Sequence, residues 1–68
     1  MTGLPGFRYI FRLWDGTTIR CLQQEAKRQL DRRGSWEEPR IVWDLPDPRG
    51  GRRRVWPEEI MSWDQEAL

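Results

Sequence analysis

The amino-acid sequence predicts a mainly β (α+β) domain of five strands, with one helix inserted between the second and third strands. Apolar side chains recur at every second position in several stretches, which is typical of strands. Turns rich in glycine and proline separate these stretches, and good helix formers dominate one segment, 23–33. A chain of 68 residues forms one small domain with a modest core, so we expect a single domain over 1–68 with 1–6 flexible.

The first hairpin is predicted between residues 7 and 22. Apolar side chains at every second position indicate a strand with one face in the core, and these are Phe7, Tyr9, Phe11 and Leu13. Asp15-Gly16 follows, a dipeptide that favours a type I′ turn, in which both central residues have positive φ. The run 17–22 is then the returning strand, where Cys21 is expected to pack as a small hydrophobic residue.

A surface helix is predicted over 23–33, because β-branched residues disappear there and helix formers replace them. Leu22, Ala26 and Leu30 are four positions apart, which forms one narrow apolar stripe. Gly34 is a suitable end for this helix. A loop with Trp36 as its candidate anchor is expected over 35–39.

A second hairpin is predicted from residue 40 onwards. Residues 40–45 return to β character, with Ile41, Trp43 and Leu45 on one face. Two prolines and two glycines in 46–51 favour a turn over a helix or a central strand. The partner strand is expected over 52–56, and it begins with three arginines.

The end of the chain allows two interpretations. Pro57-Glu58-Glu59 suits the first turn of a helix, which would extend over 57–67 and form a ββαββ fold. Alternatively, a single helical turn at 57–59 leads into a short closing strand at 60–64. The second interpretation is the one adopted in the five-stranded prediction.

The order of these elements, ending in Val-x-Pro-x-x-Ile-x-x-Trp at 55–63, resembles a small SH3-like β-barrel. Residues 13–21, Leu-Trp-Asp-Gly-Thr-Thr-Ile-Arg-Cys, also resemble the first motif of Sm-like RNA-binding proteins. The resemblance implies a five-stranded barrel. Cys21 stands where the Sm-like family prefers glycine, and 23–26 lacks the Asp-x-hydrophobic-Asn that carries RNA contacts in that family. The resemblance therefore implies a fold and transfers no binding residue.

Catalysis is not expected, because the chain has no histidine and no phosphate-binding glycine loop. The acid pairs Glu37-Glu38 and Glu58-Glu59 are sequence neighbours whose side chains diverge. Without histidine and with one cysteine, the usual structural zinc sites are excluded. We expect no catalytic, cofactor or metal site. No leader and no apolar run of ~18 residues is visible, so a soluble cytoplasmic protein without a membrane partner is expected.

Nucleic-acid binding is one hypothesis, because eleven of the twelve basic residues are arginines and the chain has five tryptophans. Arginine beside tryptophan provides cations for phosphate and rings for base stacking. The candidate residues are Arg8, Arg12, Arg49, Arg52, Arg53, Arg54 and Trp56. Against this, the net charge is only +1. The opposing interpretation is a charged sheet edge at 52–54 with Trp56 in the core.

Binding to another protein is the preferred hypothesis, because five tryptophans are difficult to bury in so small a core. Exposed tryptophan with arginine is typical of interface hot spots. Trp14 and Trp36 are the candidates for exposure, whereas the alternation places Trp43 in the core. The sequence thus predicts an adaptor, inhibitor or accessory protein that binds a protein partner or a second copy, and no small-molecule substrate.

Overall fold

The computed structural model describes residues 6–68. Within this range the chain forms six strands, which are β1 Phe7–Leu13, β2 Thr18–Leu22, β3 Lys27–Asp31, β4 Arg40–Pro46, β5 Arg52–Val55 and β6 Ile60–Ala67. They form two antiparallel three-stranded sheets, with strand order β2-β1-β6 in the first sheet and β3-β4-β5 in the second. Residues 1–6 are predicted to be flexible, and of these residues 1–5 lie outside the described part of the chain.

The predicted five-stranded SH3-like barrel is wrong, because the two sheets remain separate and neither closes. A closed barrel requires each strand to pair on both sides. In residues 6–68, β6 pairs only with β1, and β5 pairs only with β4. The open arrangement gives an elongated molecule of 49 × 27 × 21 Å. What agrees with the resemblance is a small, mostly β chain built from antiparallel strands.

The predicted helix at 23–33 is also wrong. The segment consists of a single 3₁₀ turn, Gln23–Glu25, followed by strand β3, which pairs with β4 along all five of its residues. In this conformation Gln29 donates a hydrogen bond to Asp44 at 2.6 Å, whereas Leu30, part of the predicted helical stripe, stays exposed. Pairing with a distant strand therefore outweighs local helix propensity.

The chain end adopts a strand and not the C-terminal helix of the ββαββ alternative. Pro57–Glu59 forms one 3₁₀ turn, and β6 follows immediately for eight residues. β6 is longer than the predicted closing strand at 60–64, because it pairs with β1 from Leu13↔Ile60 to Phe7↔Ala67.

Both predicted hairpins are present, but the first turn is not type I′. The amide of Leu13 donates to the carbonyl of Thr17, and the amide of Gly16 donates to the carbonyl of Leu13. Only Gly16 has positive φ (91°) in this turn, so the loop is a three-residue connection in which a type I turn precedes a left-handed glycine. The second hairpin closes in the same way between Asp47 and Gly51.

The core lies between the facing sides of the two sheets. Its fully buried side chains are Phe11, Leu13, Ile19, Cys21, Leu45 and Val55. The prediction that Cys21 packs as a hydrophobic residue is confirmed, and burial raises the pKa of its thiol. The predicted apolar face of β4 is only partly correct, because Ile41 is half exposed and Val42, on the opposite face, is buried.

Candidate binding surface

Four aromatic rings from three strands lie together between the sheets. β1 contributes Tyr9 and Phe11, β4 contributes Trp43 and β6 contributes Trp63. The centroid of the Tyr9 ring is 5.8 Å from those of both Trp43 and Trp63, and the Phe11 and Trp43 centroids are 5.2 Å apart. These separations are in the range of favourable edge-to-face and offset contacts. We call this group, together with Met61 beside it, the aromatic cleft.

The aromatic cleft is open to solvent on the β6 side. Phe11 is 1% exposed at its base, whereas Trp63, directly opposite Phe11 in the β1–β6 ladder, is 53% exposed. Met61 is also about half exposed. The same opening is lined by Pro57 and Ile60. A mostly apolar surface therefore remains uncovered by the part of the chain that the structure describes.

Further apolar residues continue this surface on the second sheet. Leu30 of β3 and Ile41 of β4 are directly opposite each other and lie on the same sheet face as Trp43. Both are exposed. The guanidinium of Arg28 lies 4.8 Å from the centroid of the Trp43 ring, which places one cation at the border of the surface.

The first of the three predicted β5 arginines, Arg52, is bonded to neighbouring elements on the surface of the fold. Its Nε donates to a carboxylate oxygen of Asp44 on β4 at 3.0 Å. Its Nη2 donates to the backbone carbonyls of Asp44 and Glu25, each at 2.8 Å. Arg52 thus connects β5 to β4 and to the 3₁₀ turn that precedes β3.

The other two arginines of β5 are paired as well. Arg53 donates to Asp15 in the first hairpin turn at 2.9 Å, and Arg54 donates to Asp31 on β3 at 2.7 Å. Hydrogen bonds from Thr17, followed by the bond from Arg53, lower the pKa of Asp15 to about 2. The same pair raises the pKa of Arg53. The β5 arginines therefore link distant parts of the chain.

Two more predicted arginines form ion pairs on the outer face of the first sheet. Arg8 pairs with Glu66 at 3.2 Å, and Arg12 pairs with Asp64 at 2.9 Å, so both join β1 to β6. Arg49 is the one predicted cation for which the described residues provide no ion pair. It lies beside the two hairpin turns, where Asp15 and Asp47 line the same shallow depression.

The prediction that Trp14 and Trp36 are exposed is confirmed, since their exposed fractions are 69% and 86%. The prediction that Trp36 anchors its loop is wrong, because so exposed a side chain buries little surface. They lie in different places, Trp14 in the first hairpin turn and Trp36 in the loop between β3 and β4. Neither contributes to the aromatic cleft. Trp43, expected in the core, is only partly buried.

Trp56 is half buried and not a core residue. The guanidinium groups of Arg33 and Arg40 lie 4.7 and 5.3 Å from the centroid of its ring. Glu58 accepts a hydrogen bond from Arg40 at 3.0 Å, and this bond is the main cause that lowers the pKa of Glu58 to about 2. Trp56 with these charges fastens the β3–β4 loop to the second 3₁₀ turn.

Sequence reasoning did not predict the aromatic cleft: it placed Tyr9, Phe11 and Trp43 in the core and named neither Met61 nor Trp63 as a binding residue. The alternation places Tyr9 on the core face of β1, which is correct, but it contains no information on how far that face is covered. In the described range no cluster of three metal-ligating side chains occurs, and no helix has the length and apolarity that crossing a bilayer requires.

No protein-family model, no curated protein and no solved structure matches this chain. The assignment of a function therefore depends on the residues and their geometry.

Proposed function

We propose that the protein is a small non-enzymatic binding module, and that its aromatic cleft holds a segment of another protein. The observation that carries the proposal is the half-exposed Trp63, which lies at a sheet edge beside the rings of Tyr9 and Phe11. Tryptophan and tyrosine in a concave apolar site are typical of the few residues that dominate binding energy at protein interfaces.

The energetics of an open aromatic surface support this proposal. Burying apolar surface stabilises a complex by roughly 25 cal/mol per Å², and aromatic side chains each provide a large area. The rings are held by neighbours on three strands, so little conformational entropy is lost when a partner covers them. The charged groups nearest the cleft, such as Arg28, lie at its border. This resembles the common arrangement of an apolar centre and a polar rim.

The alternative of single-strand nucleic-acid binding has less support. It requires cations that are free to meet phosphates beside rings that are free to stack on bases. Arg52, Arg53 and Arg54 instead form ion pairs with acids of this chain. Phosphate contacts by these arginines would therefore compete with those ion pairs.

Selection from a phage-displayed library of random peptides tests the proposed function. The purified protein is the bait, and enriched peptides are synthesised and titrated by calorimetry. We expect Trp63→Ser to weaken their binding at least tenfold, because the exposed ring of the cleft is lost. Trp36→Ser is the matched control, since it removes a more exposed tryptophan outside the cleft.

Two results would contradict the proposal. One is that the wild-type protein enriches no peptides beyond those enriched in a parallel selection on Trp63→Ser. The other is quenching of tryptophan fluorescence by a mixed single-stranded oligonucleotide pool, with a steep dependence on salt and no peptide binding, which would favour nucleic acid.

A further inference from the structure

β6 is an unpaired sheet edge beside the aromatic cleft. The strand order β2-β1-β6 leaves one side of β6 without a neighbour among the described residues. At eight residues it is the longest strand of the six. An exposed edge of this kind presents backbone donors and acceptors on which a further strand can pair.

The direction of the free backbone groups follows from one hydrogen bond. The amide of Leu68 donates to the carbonyl of Gly6 at 3.2 Å, so residue 68 directs its polar groups towards β1. Successive residues of a strand alternate, and the register has no irregularity between Phe7↔Ala67 and Arg12↔Ser62. The amides and carbonyls of residues 63, 65 and 67 therefore point away from β1 towards the open side.

The other sheet edges differ from β6 in length and charge. β3 and β5 have five and four residues and carry one lysine and four arginines between them. Charged residues on a short strand are a common protection against unwanted pairing. β2, the second edge of the first sheet, packs against β4. β6 contains no lysine, arginine or proline.

The two faces of β6 specify different side chains in a partner. Trp63 lies on the cleft side, whereas Asp64 and Glu66 lie on the outer face. Each of these acids pairs with an arginine of β1, yet their side chains stay 64% and 46% exposed, so a cation on the open side of β6 can share them. A strand added to β6 would place one set of alternate side chains beside Trp63 and the other beside the two acids. Apolar residues suit the first position, and lysine or arginine suits the second.

We infer that β6 accepts an extended segment of a partner protein as a fourth strand of the first sheet, with apolar residues over Trp63 and basic residues beside Asp64 and Glu66. This inference rests on the proposed function and specifies the binding mode and the chemistry of the partner. The pairing is antiparallel or parallel backbone addition of the kind that many peptide-recognition domains use.

A second copy of the chain is a less suitable occupant. Antiparallel pairing of β6 with itself, centred on Asp64, places the two Asp64 carboxylates side by side. Centred on Gln65, it places Asp64 beside Glu66 of the other copy. Opposed like charges on one face destabilise a sheet. A third register, centred on Trp63, avoids this conflict between like charges.

The test uses two synthetic nine-residue peptides, one alternating lysine with valine and the other alternating glutamate with valine. Isothermal titration calorimetry measures their binding to the wild-type protein. We expect the lysine peptide to bind, and the glutamate peptide to bind at least tenfold more weakly, because its side chains would lie beside the partly exposed carboxylates of Asp64 and Glu66. Equal binding, or no binding of the lysine peptide, would overturn the inferred partner chemistry.

Gln65→Pro tests the backbone contact itself. Proline at this position removes an amide that points to solvent, so the pairing of β1 with β6 should remain and the melting temperature should not change. The affinity for the peptide should fall at least tenfold. Ala67→Pro removes a second outward amide, and Gln65→Ala is the control that keeps the amide. Unfolding of both proline variants would show that the assigned backbone direction is wrong.

The outcomes separate this inference from the proposed function. Phage-selected peptides that require Trp63 but bind Gln65→Pro and wild type equally would refute strand addition and leave the protein-binding proposal intact. Light scattering tests for a second copy as the occupant. If the molecular mass of wild type rises with concentration to that of a dimer, and Gln65→Pro stays a monomer, a second copy occupies β6 and the inference is overturned.

Discussion

β5 and β6 are both sheet edges, and they differ in what their charges do. β5 has four residues, and its three arginines each form an ion pair with an acid elsewhere in the chain. β6 has eight residues, and its acids are paired with arginines on β1 behind it, so its backbone and Trp63 remain open.

The difference shows that a run of like charges in a sequence need not be a free surface. The β5 arginines are the most conspicuous feature of the sequence, yet they serve to join β5 to β3, β4 and the first hairpin turn. The half-exposed tryptophan of β6, inconspicuous in the sequence, is the feature that suits a partner.

The largest effect on stability is expected at one residue pair of the β1–β6 sheet, in which Phe11 lies directly opposite Trp63. Phe11→Ala should destabilise the protein by about 3 to 5 kcal/mol, because it leaves a cavity in the core. Trp63→Ala should cost only about 1 to 2 kcal/mol, since about half of that side chain already meets water. Urea denaturation followed by circular dichroism measures both values. Equal costs would contradict the view that β6 is a binding edge.

A smaller effect is expected from the basic edge. Arg52→Gln should destabilise the protein by about 1 kcal/mol and lower the melting temperature by roughly 4 to 8 °C, because it breaks the bonds to Asp44 and Glu25. Arg49→Gln is the matched control on the adjoining turn and should change stability by less than about 0.5 kcal/mol. If thermal melts show the two variants alike, β5 does not have the structural role described.

The smallest effect concerns acid stability. In the folded protein the hydrogen bonds from Thr17, followed by the bond from Arg53, lower the pKa of Asp15 to about 2, below its ordinary value of 3.8. These bonds to the carboxylate therefore contribute fully above about pH 5, and their contribution is lost as the pH falls towards 2. Asp15→Asn should therefore melt at a lower temperature than wild type at pH 6, and the difference should shrink towards pH 2. Thermal melts across this range measure it. Glu38→Gln is the control, because Glu38 is an exposed acid in the β3–β4 loop. A difference in melting temperature between Asp15→Asn and wild type that stays constant with pH would contradict the prediction.

The candidate site was only partly predictable from the sequence. The sequence predicts exposed side chains for Trp14, which is opposite in parity to Phe11 and Leu13, and for Trp36, which lies in a loop, and the structure agrees. The cleft could not be found in the same way, because the apolar alternation of β1 is identical whether the facing sheet covers it or not. Trp63 is exposed because no described element lies beyond the β6 edge.

The sequence by itself determined both hairpins, their turn regions and the apolar face of β1, because alternation, glycine and proline act over a few neighbouring residues. Only the tertiary structure decided that 27–31 is a strand, that the barrel stays open and that the β5 arginines are paired. Each of these depends on residues far apart in the chain, such as the five residues of β3 that pair with β4, and Asp31 with Arg54. Such contacts together outweigh local propensity, and they leave no local pattern in the sequence.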